Sequence, residues 1–350
     1  MSPMILIVMA FSLCMGTLIT LSSSHWLLAW MGLEINTFAI IPFMAQNQSP
    51  RTMEAATKYF IIQVTAATIL LFASISNAWL VGQWSMQQMN HPLSLIMMYT
   101  ALALKLGLAP MHAWFPEIMQ GLNFPTGLLL ATWQKLAPLS IMMQLPTNNH
   151  SSTMLILLAL LSIMMGGWGG LNQTQLRKIL GYSSIAHLGW MSLVVQYMPS
   201  LTFMAFLLYV VLTFSTFLIF WHNKTSTINA LSTSWMKMPT ISAISPLILL
   251  SLGGFPPLTG FIPKWMILSE LTKQDLIFVA TMAALSTLLS LYFYLRLSYA
   301  MALTTPPNNL PALLPWRIKF LQPMLPLATS AVISLCALPL APAILALFTL

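Results

Sequence analysis

The stretch KLGLAPMHAWFPE, residues 105–117, interrupts an apolar segment that is otherwise long enough to cross a bilayer. It contains a lysine, a histidine and two prolines, and proline disfavours an unbroken helix. The later stretch GFPPLTGFIPK, residues 254–264, repeats this design. The matched pairs are Gly107 with Gly254, Pro110 with Pro257, Trp114 with Phe261, Pro116 with Pro263 and Glu117 with Lys264. The pattern predicts an interrupted span at corresponding positions of two inverted repeats, an arrangement typical of transporters.

The composition indicates a membrane protein. Charged residues make up 5% of the 350 residues, against about 25% in soluble domains. Hydrophobic residues make up 58%, and the mean hydropathy is +0.83. The net charge of +8 reflects few acids, and no Lys/Arg run is available to bind nucleic acid. Cys14 and Cys336 lie far apart without a CxxC motif, so we predict neither an iron–sulfur cluster nor a disulfide framework.

Apolar runs of roughly 18 to 25 residues predict how the chain is organised. We count about eleven spans, at about 4–21, 26–45, 55–79, 92–114, 126–144, 153–168, 179–196, 201–221, 241–268, 276–297 and 323–348. The predicted fold is all-α, a polytopic membrane protein with a single transmembrane domain over residues 1–350. It consists of two inverted five-helix repeats with discontinuous helices, at about 4–145 and 153–297, and one C-terminal helix at about 323–348.

Loop composition predicts the orientation of these spans. Basic residues fall in alternate loops: Arg51, Arg177, Lys178, Lys224, Lys237, Arg296, Arg317 and Lys319. Lys273, in one of the opposite loops, is the exception. We therefore expect the N-terminus on the positive-inside face and the C-terminus across the membrane. The N-terminal segment lacks a basic n-region, which favours a retained first span over a signal peptide. The run GGWGG, residues 166–170, is predicted to end the sixth span in a tight turn.

Charged residues inside the predicted spans are the main candidates for function. Glu34, Lys105 and Lys135 lie near the centres of the second, fourth and fifth spans, and Lys264 follows the break in the ninth. A charge at mid-span costs about 2.5–3.5 kcal/mol, so the four approach roughly 10 kcal/mol before any pairing. Packing does not require such residues, and we predict a proton relay. A buried Glu34–Lys105 pair that only fixes helix register is the alternative, but it does not account for Lys135 and Lys264.

The electrostatic interactions between these charged residues are large enough to control proton transfer in the relay. Burial disfavours the charged ammonium form of lysine, whereas a nearby carboxylate favours it. Two ammonium groups about 10 Å apart repel each other by roughly 1.7 kcal/mol at an effective dielectric near 20. A movement of Glu34 relative to Lys105 is therefore expected to decide whether Lys135 keeps its proton.

Histidines are further candidates for the relay because imidazole titrates near neutral pH. His187 lies within the seventh span and His112 within the first break, and an interhelical hydrogen bond is the alternative role for each. The other histidines fall near loops, which argues against a bis-histidine haem: His25, His91, His150 and His222. We predict no metal or cofactor site, and we expect the many Met and Trp residues to pack and anchor spans instead of forming a quinone site.

Three charged residues are expected away from the centre of the membrane. Glu54 begins the third span, where a carboxylate suits a helix N-terminus, and Lys58 follows it at i,i+4 spacing. Glu117 is expected at the basic-face end of the fourth span. We assign these three residues to structure or proton entry.

Four runs carry a resemblance to a known family: LGLAPMHAWFPE, TWQKLAPLS, RKILGYSSIAHLGW and SLGGFPPLTGFIPKW. They resemble the antiporter-like subunits of respiratory complex I, and the likeness covers essentially the whole chain. Bacterial members have three further N-terminal helices, so the resemblance implies a shortened, animal-type mitochondrial form made inside the organelle. It also implies the mitochondrial inner membrane, with the N-terminus in the matrix and the C-terminus in the intermembrane space.

The family pattern maps onto Glu34, Lys105, Lys135 and Lys264. It implies a Glu–Lys pair that senses neighbouring subunits, a middle relay lysine and a terminal lysine. The implied enzyme is a proton-pumping NADH:ubiquinone reductase in which this chain carries no redox chemistry, because flavin, iron–sulfur clusters and quinone belong to partner subunits. The implied partners are other membrane-arm and accessory subunits and lipids. Nucleic acid and a stand-alone homo-oligomer are not expected.

Two other functions fit the same residues. One is a subunit of an Mrp-type cation/proton antiporter, which shares the machinery but lacks redox coupling. The other is a structural membrane subunit with no proton path of its own. Association with flavin- and iron–sulfur-bearing subunits, or sodium-dependent proton flux by an isolated assembly, separates the first two.

Overall fold

Helices make up most of the computed structural model, which describes residues 3–46, 48–89, 91–146, 149–304, 324–343 and 346. These residues divide into two compact units, Met1–Ser162 and Ile163–Leu350. The first helices are α1 (Pro3–Ser22), α2 (Trp26–Met44), α3 (Pro50–Val81), α4 (Pro92–Leu106), α5 (Trp114–Gly121), α6 (Phe124–Ala131), α7 (Trp133–Gln144) and α8 (Asn149–Gly170). They are followed by α9 (Leu176–Val194), α10 (Pro199–Asn223), α11 (Ile228–Ser232), α12 (Ser234–Lys237), α13 (Pro239–Gly253), α14 (Phe261–Lys273), α15 (Ile277–Ala302) and α16 (Leu325–Cys336).

Local sequence signals explain where several of these helices begin and end. The Ser49 side chain accepts a hydrogen bond from a first-turn backbone N–H of α3 at 3.3 Å, and Pro50 is the first helical residue. The helix stops at Gly82, which has a left-handed φ of +75°. Helices α4 and α13 also begin with proline and stop at left-handed glycines, Gly107 and Gly254.

Six helices within the described ranges are long and apolar enough to cross a membrane: Met4–Ser22, Trp26–Met44, Pro50–Val81, Ser151–Gly170, Pro199–Asn223 and Ile277–Ala302. Large apolar side chains lie on their outer surfaces, as with Trp79, which is 88% exposed, and Phe278, which is 71% exposed. Small residues such as Ala66 and Ala73 of α3 are buried instead, which is typical of contacts between membrane helices. The first, second, third, sixth, seventh, eighth and tenth predicted spans each coincide with one helix. The total of eleven spans stays a prediction, because the eleventh lies partly outside the described residues.

The ninth predicted span is divided in two, as expected, whereas the fourth, predicted to end at about residue 114, breaks there and continues as α5 to Gly121. Residues 107–113 separate α4 from α5, and residues 254–260 separate α13 from α14. Sequence reasoning missed a third division at Thr132, where the fifth predicted span becomes α6 and α7. It also missed the short helices α11 and α12 in the connection after α10.

The prediction of a tight turn over residues 166–170 is wrong. These residues form the last turn and a half of α8, which continues to Gly170. A Cβ added at Gly166 would lie 2.7 Å from the backbone nitrogen of Ala186 in α9, and one at Gly167 would lie 2.9 Å from the Cβ of Leu289 in α15. The glycines therefore serve close helix packing, which the sequence pattern alone does not distinguish from a turn.

Candidate functional site

Lys105 lies in the last turn of α4, next to the first helix break, and its side chain is 6% exposed. The backbone N–H groups of Gly107 and Leu108 both donate to the carbonyl of Ala103 at 2.9 Å, which closes the helix end. The C-terminal end of a helix carries partial negative charge, which favours a cation in its last turn. The break therefore places a buried lysine at a position suited to an ammonium group.

Glu34 of α2 is half-buried and accepts a hydrogen bond from the Thr37 hydroxyl at 3.1 Å. It acts electrostatically on Lys105, but in the described part of the chain no ion pair within 4.0 Å joins the two side chains. The Nζ of Lys105 has no hydrogen-bond partner among the described residues. Glu34 and Lys105 therefore interact without forming a direct ion pair. This disfavours the alternative in which a buried Glu34–Lys105 pair only fixes helix register.

Lys135 lies on α7, one turn after the division at Thr132, and is 2% exposed. Its backbone N–H donates to the Thr132 carbonyl at 3.2 Å, while the Thr132 hydroxyl donates to the carbonyl of Leu128 at 2.8 Å. The Nζ of Lys135 lies 4.5 Å from the centroid of the Phe115 ring, within the range of a cation–π contact. Phe115 belongs to α5. The half-helix after the first break therefore contacts Lys135, the lysine that follows the division at Thr132.

Lys105 and Lys135 line one cavity in the first unit. Its volume is about 10 Å³, close to the room that one water requires. Polar and aromatic side chains share its lining: Asn36, Thr37, Tyr59, Gln63, Trp114, Phe115 and Gln134. The Gln134 amide donates to the backbone carbonyl of Asn36 at 3.0 Å, which ties α7 to α2 beside the cavity. The two lysines therefore face neither the exterior nor a purely aliphatic interior.

Lys264 occupies the corresponding region of the second unit. It lies in the first turn of α14, is half-buried, and its Nζ donates to the Gly253 carbonyl at the end of α13 at 2.6 Å. The left-handed Gly254 allows this approach, because a Cβ there would lie 2.8 Å from the lysine Nζ. Lys105 thus lies at the C-terminal end of the half-helix before its break, whereas Lys264, in the first turn of the half-helix after its break, reaches back to the C-terminal end of α13.

The two candidate histidines differ in their surroundings. His187 of α9 shares a second cavity of about 20 Å³ with Lys264 and Tyr209, and its ring centroid lies 5.5 Å from that of Tyr209. His112 lies in the first break, where Nδ1 is 3.2 Å from the Pro110 carbonyl, and it does not line the cavity of Lys105 and Lys135. The structure therefore associates His187 with Lys264 and places His112 against the Pro110 carbonyl.

The three charged residues that were expected away from the centre of the membrane form an ion cluster: Glu54, Lys58 and Glu117. Lys58 Nζ lies 2.8 Å from Glu54 Oε1 and 3.0 Å from Glu117 Oε2, with all three side chains well exposed. The i,i+4 pair was expected, whereas the connection from α3 to the first turn of α5 was not. This contact joins the half-helix after the break to its neighbour.

Several residues of the site escaped the sequence analysis. Phe115, Tyr59 and Tyr209 were not singled out from the sequence, although each lines a cavity with a candidate lysine. Pro138, inside α7, was an available signal for irregular helix geometry near Lys135. For metals, a search limited to the described residues finds no group of three or more His, Cys, Asp or Glu, and Cys14 and Cys336 are free and exposed.

Known proteins are similar to this chain over its whole length. A family model described as "NADH:quinone oxidoreductase/Mrp antiporter, TM" matches residues 23–290, and "NADH dehydrogenase subunit 2 C-terminus" matches residues 291–345. NADH-ubiquinone oxidoreductase chain 2 of Tetraodon nigroviridis is 61% identical over 350 residues, covering 100% of both chains. Its counterpart from Salmo salar is 59% identical over 351 residues with the same coverage.

Solved structures share the fold. A chain of respiratory complex I from Thermus thermophilus with bound aureothin matches with a TM-score of 0.83 and 26% identity, covering 97% of this chain and 80% of that one. A chain of the Mrp complex from Dietzia sp. DQ12-45-1b matches with a TM-score of 0.73 and 15% identity, covering 85% and 60%. The resemblance to antiporter-like subunits of complex I is confirmed. The chain is a multi-pass membrane protein that belongs to the family of NADH-ubiquinone oxidoreductase chain 2, subunit 2 of the NADH:ubiquinone oxidoreductase.

Proposed function

We propose that this chain is a proton-translocating membrane-arm subunit of mitochondrial respiratory complex I. Electron transfer from NADH to ubiquinone in other subunits drives proton transfer here, from the matrix to the intermembrane space. The chain resides in the mitochondrial inner membrane with its N-terminus in the matrix and its C-terminus in the intermembrane space. Flavin, iron–sulfur clusters and quinone bind to partner subunits, which include other membrane-arm and accessory subunits, and lipids contact its outer surface.

The observation that carries this proposal is the burial of Lys105 and Lys135 in one cavity, lined partly by polar side chains, beside broken helices. A charge at the centre of a span costs about 2.5–3.5 kcal/mol, and neither lysine is needed to fill an apolar core. Because the cavity is close to the size of one water and its walls hold polar atoms, we infer that it is hydrated. A water there would connect the two lysines for proton transfer.

Glu34 supplies the control of this step. Its carboxylate acts on Lys105 without a direct ion pair, so a small movement of α2 or α4 changes the stability of the ammonium form. A charged Lys105 in turn repels a charged Lys135, which favours release of one of the two protons. Signals from neighbouring subunits thus need only shift one helix to start the transfer.

In the second unit, Lys264 and His187 form the later part of the relay. Both line one cavity, and the lysine is held by the Gly253 carbonyl. We assign Lys264 the role of terminal proton carrier and His187 that of its exchange partner. His112 lacks a comparable setting, and we retain it only as a candidate at the first break.

The inverted-repeat architecture belongs to the same proposal. We infer eleven spans, as two five-helix repeats and a C-terminal helix. The two broken spans support this, because α4 and α13 both stop at left-handed glycines with φ of +77° and +81° at aligned positions.

An Mrp-type cation/proton antiporter subunit is the second candidate, favoured by the family model over residues 23–290, whose description includes the Mrp antiporter. The two functions differ in their partners and in their ion dependence. Co-purification with flavin- and iron–sulfur-bearing subunits supports the complex I function. Sodium-dependent proton flux by an isolated assembly without such subunits would support the antiporter.

Substitution of Lys135 tests the relay in the assembled complex. Lys135→Ala removes the charge, and we expect coupled turnover and proton pumping to fall about tenfold or more, with a smaller loss in Lys135→Arg, which keeps the charge. Lys273→Ala, at an exposed lysine paired with Glu270, is the matched control and should pump normally. Normal pumping by Lys135→Ala at normal assembly would leave only a structural role for this chain.

A further inference from the structure

Phe115, which follows the first helix break, contacts Lys135. It is the second residue of α5, directly after the break, and its side chain is 1% exposed. Its backbone N–H donates to the His112 carbonyl at 3.1 Å, so the start of α5 is anchored to the break itself. The ring lines the same cavity as Lys105 and Lys135.

The geometry of the contact suits an ammonium group. Lys135 Nζ lies 4.5 Å from the ring centroid, and a desolvated cation–π contact of this kind changes an equilibrium constant by a factor of ten or more. A lysine side chain has many rotamers, whereas a buried ring offers one defined face. The ring therefore restricts where the ammonium group of Lys135 resides.

Helix α5 is itself held firmly against α3. A Cβ added at Gly121 would lie 2.8 Å from the carbonyl oxygen of Arg51 and 2.8 Å from the Cβ of Ala55, so the two helices approach closely. At the other end of α5, Glu117 contacts Lys58 at 3.0 Å. The position of the Phe115 ring is thus set by α3 as well as by the break.

We propose that Phe115 is a positioning residue for the relay, whose ring face holds the ammonium group of Lys135 toward the cavity that it shares with Lys105. This inference rests on the proposed function of Lys135. It adds α5 to the relay: a movement of this half-helix would move the ring, and with it the place where Lys135 accepts or releases a proton.

The test uses the assembled complex with Phe115→Leu, which removes the ring face, and Phe115→Tyr, which keeps it. Phe293→Leu replaces an equally buried phenylalanine in the second unit, one that lines neither cavity, and is the matched control. Assembly, NADH oxidation and protons pumped per electron are measured for each. We expect Phe115→Leu to lower pumping about tenfold, whereas Phe115→Tyr restores most of it and Phe293→Leu stays near wild type.

A double-mutant cycle separates positioning from general packing. If Phe115 acts through Lys135, adding Phe115→Leu to Lys135→Ala should lower the residual pumping no further. An equal additional loss in that background would overturn the proposal, as would normal pumping by Phe115→Leu or no rescue by Phe115→Tyr. Normal pumping by Lys135→Ala would instead refute the proposed function itself.

Assembly is the remaining variable. Where Phe115→Leu prevents assembly, Phe115→Met provides a flexible side chain of similar size without a ring face, and the same expectations apply. Failure of both variants to assemble, with Phe115→Tyr assembling normally, would assign the ring a purely structural role and overturn the proposal.

Discussion

Replacement of Gly254 by alanine tests whether the end of α13 must hold Lys264. A Cβ at this position would lie 2.8 Å from both Cδ and Nζ of the lysine. The far end of a lysine is flexible, so we expect the side chain to move away and not to clash. That movement breaks or lengthens the 2.6 Å hydrogen bond from Lys264 to the Gly253 carbonyl.

The expected cost has two parts. A left-handed backbone costs a residue with a Cβ about 1–2 kcal/mol, and loss of a hydrogen bond to a charged group costs about 1.5–3 kcal/mol, together about 2.5–5 kcal/mol. Gly82 and Gly107 separate the two parts because their φ angles, +75° and +77°, are similar. A Cβ at Gly82 would meet nothing within 4 Å, and one at Gly107 would meet Trp114 at an ordinary 3.4 Å. Alanine at either position therefore has the backbone cost alone.

The assay compares the three variants in complexes reconstituted into vesicles, with assembly, thermal stability and proton pumping measured on each. We expect all three to lose stability and Gly254→Ala to lose the most. Pumping per assembled complex should fall about tenfold in Gly254→Ala and stay near wild type in Gly82→Ala. Equal pumping by Gly254→Ala and Gly82→Ala would refute the reasoning, because the lysine would then not depend on the helix end.

Two further substitutions test the first unit. Glu34→Gln removes the negative charge that acts on Lys105 but keeps a side chain able to accept a hydrogen bond from Thr37. We therefore expect coupled turnover to fall several-fold and its pH profile to change. A pH profile identical to wild type would disprove the proposal that Glu34 acts as a switch. Lys58→Met leaves two carboxylates of the ion cluster without their shared cation, so we expect a small loss of thermal stability that shrinks as salt screens the repulsion between them. An unchanged melting temperature at low salt would show that the cluster does not hold α5.

The helix breaks illustrate how far sequence reasoning reaches. Those at residues 107–113 and 254–260 were predictable because glycine and proline favour chain conformations that a helix excludes. The division at Thr132 has no glycine or proline within four residues on either side, and only Pro138, further along α7, indicated an irregular helix there. The glycines at 166–170 misled because a glycine required by a neighbouring helix has the same local pattern as one required by a turn.

The candidate site, like the helix breaks, was only partly predictable from the sequence. Burial of Lys105 and Lys135 was predictable, since their cost in a membrane argues for an enclosed setting. The contact between Lys135 and Phe115 was not, because it depends on the direction that α5 takes after the break. The hydrogen bond from Lys264 to Gly253 was equally hidden, although the left-handed glycine beside it was visible as a motif.

A backbone carbonyl differs from a carboxylate in one respect that matters for the hydrogen bond of Lys264. The Glu34 carboxylate acts on Lys105 without a direct ion pair, so its influence changes with the position of α2, whereas the Gly253 carbonyl is part of the α13 backbone and is hydrogen-bonded directly to Lys264. The first unit thus has an adjustable counter-charge and the second a permanent one. Under the proposed function, a shift of α2 changes the electrostatic environment of Lys105, while that of Lys264 stays the same.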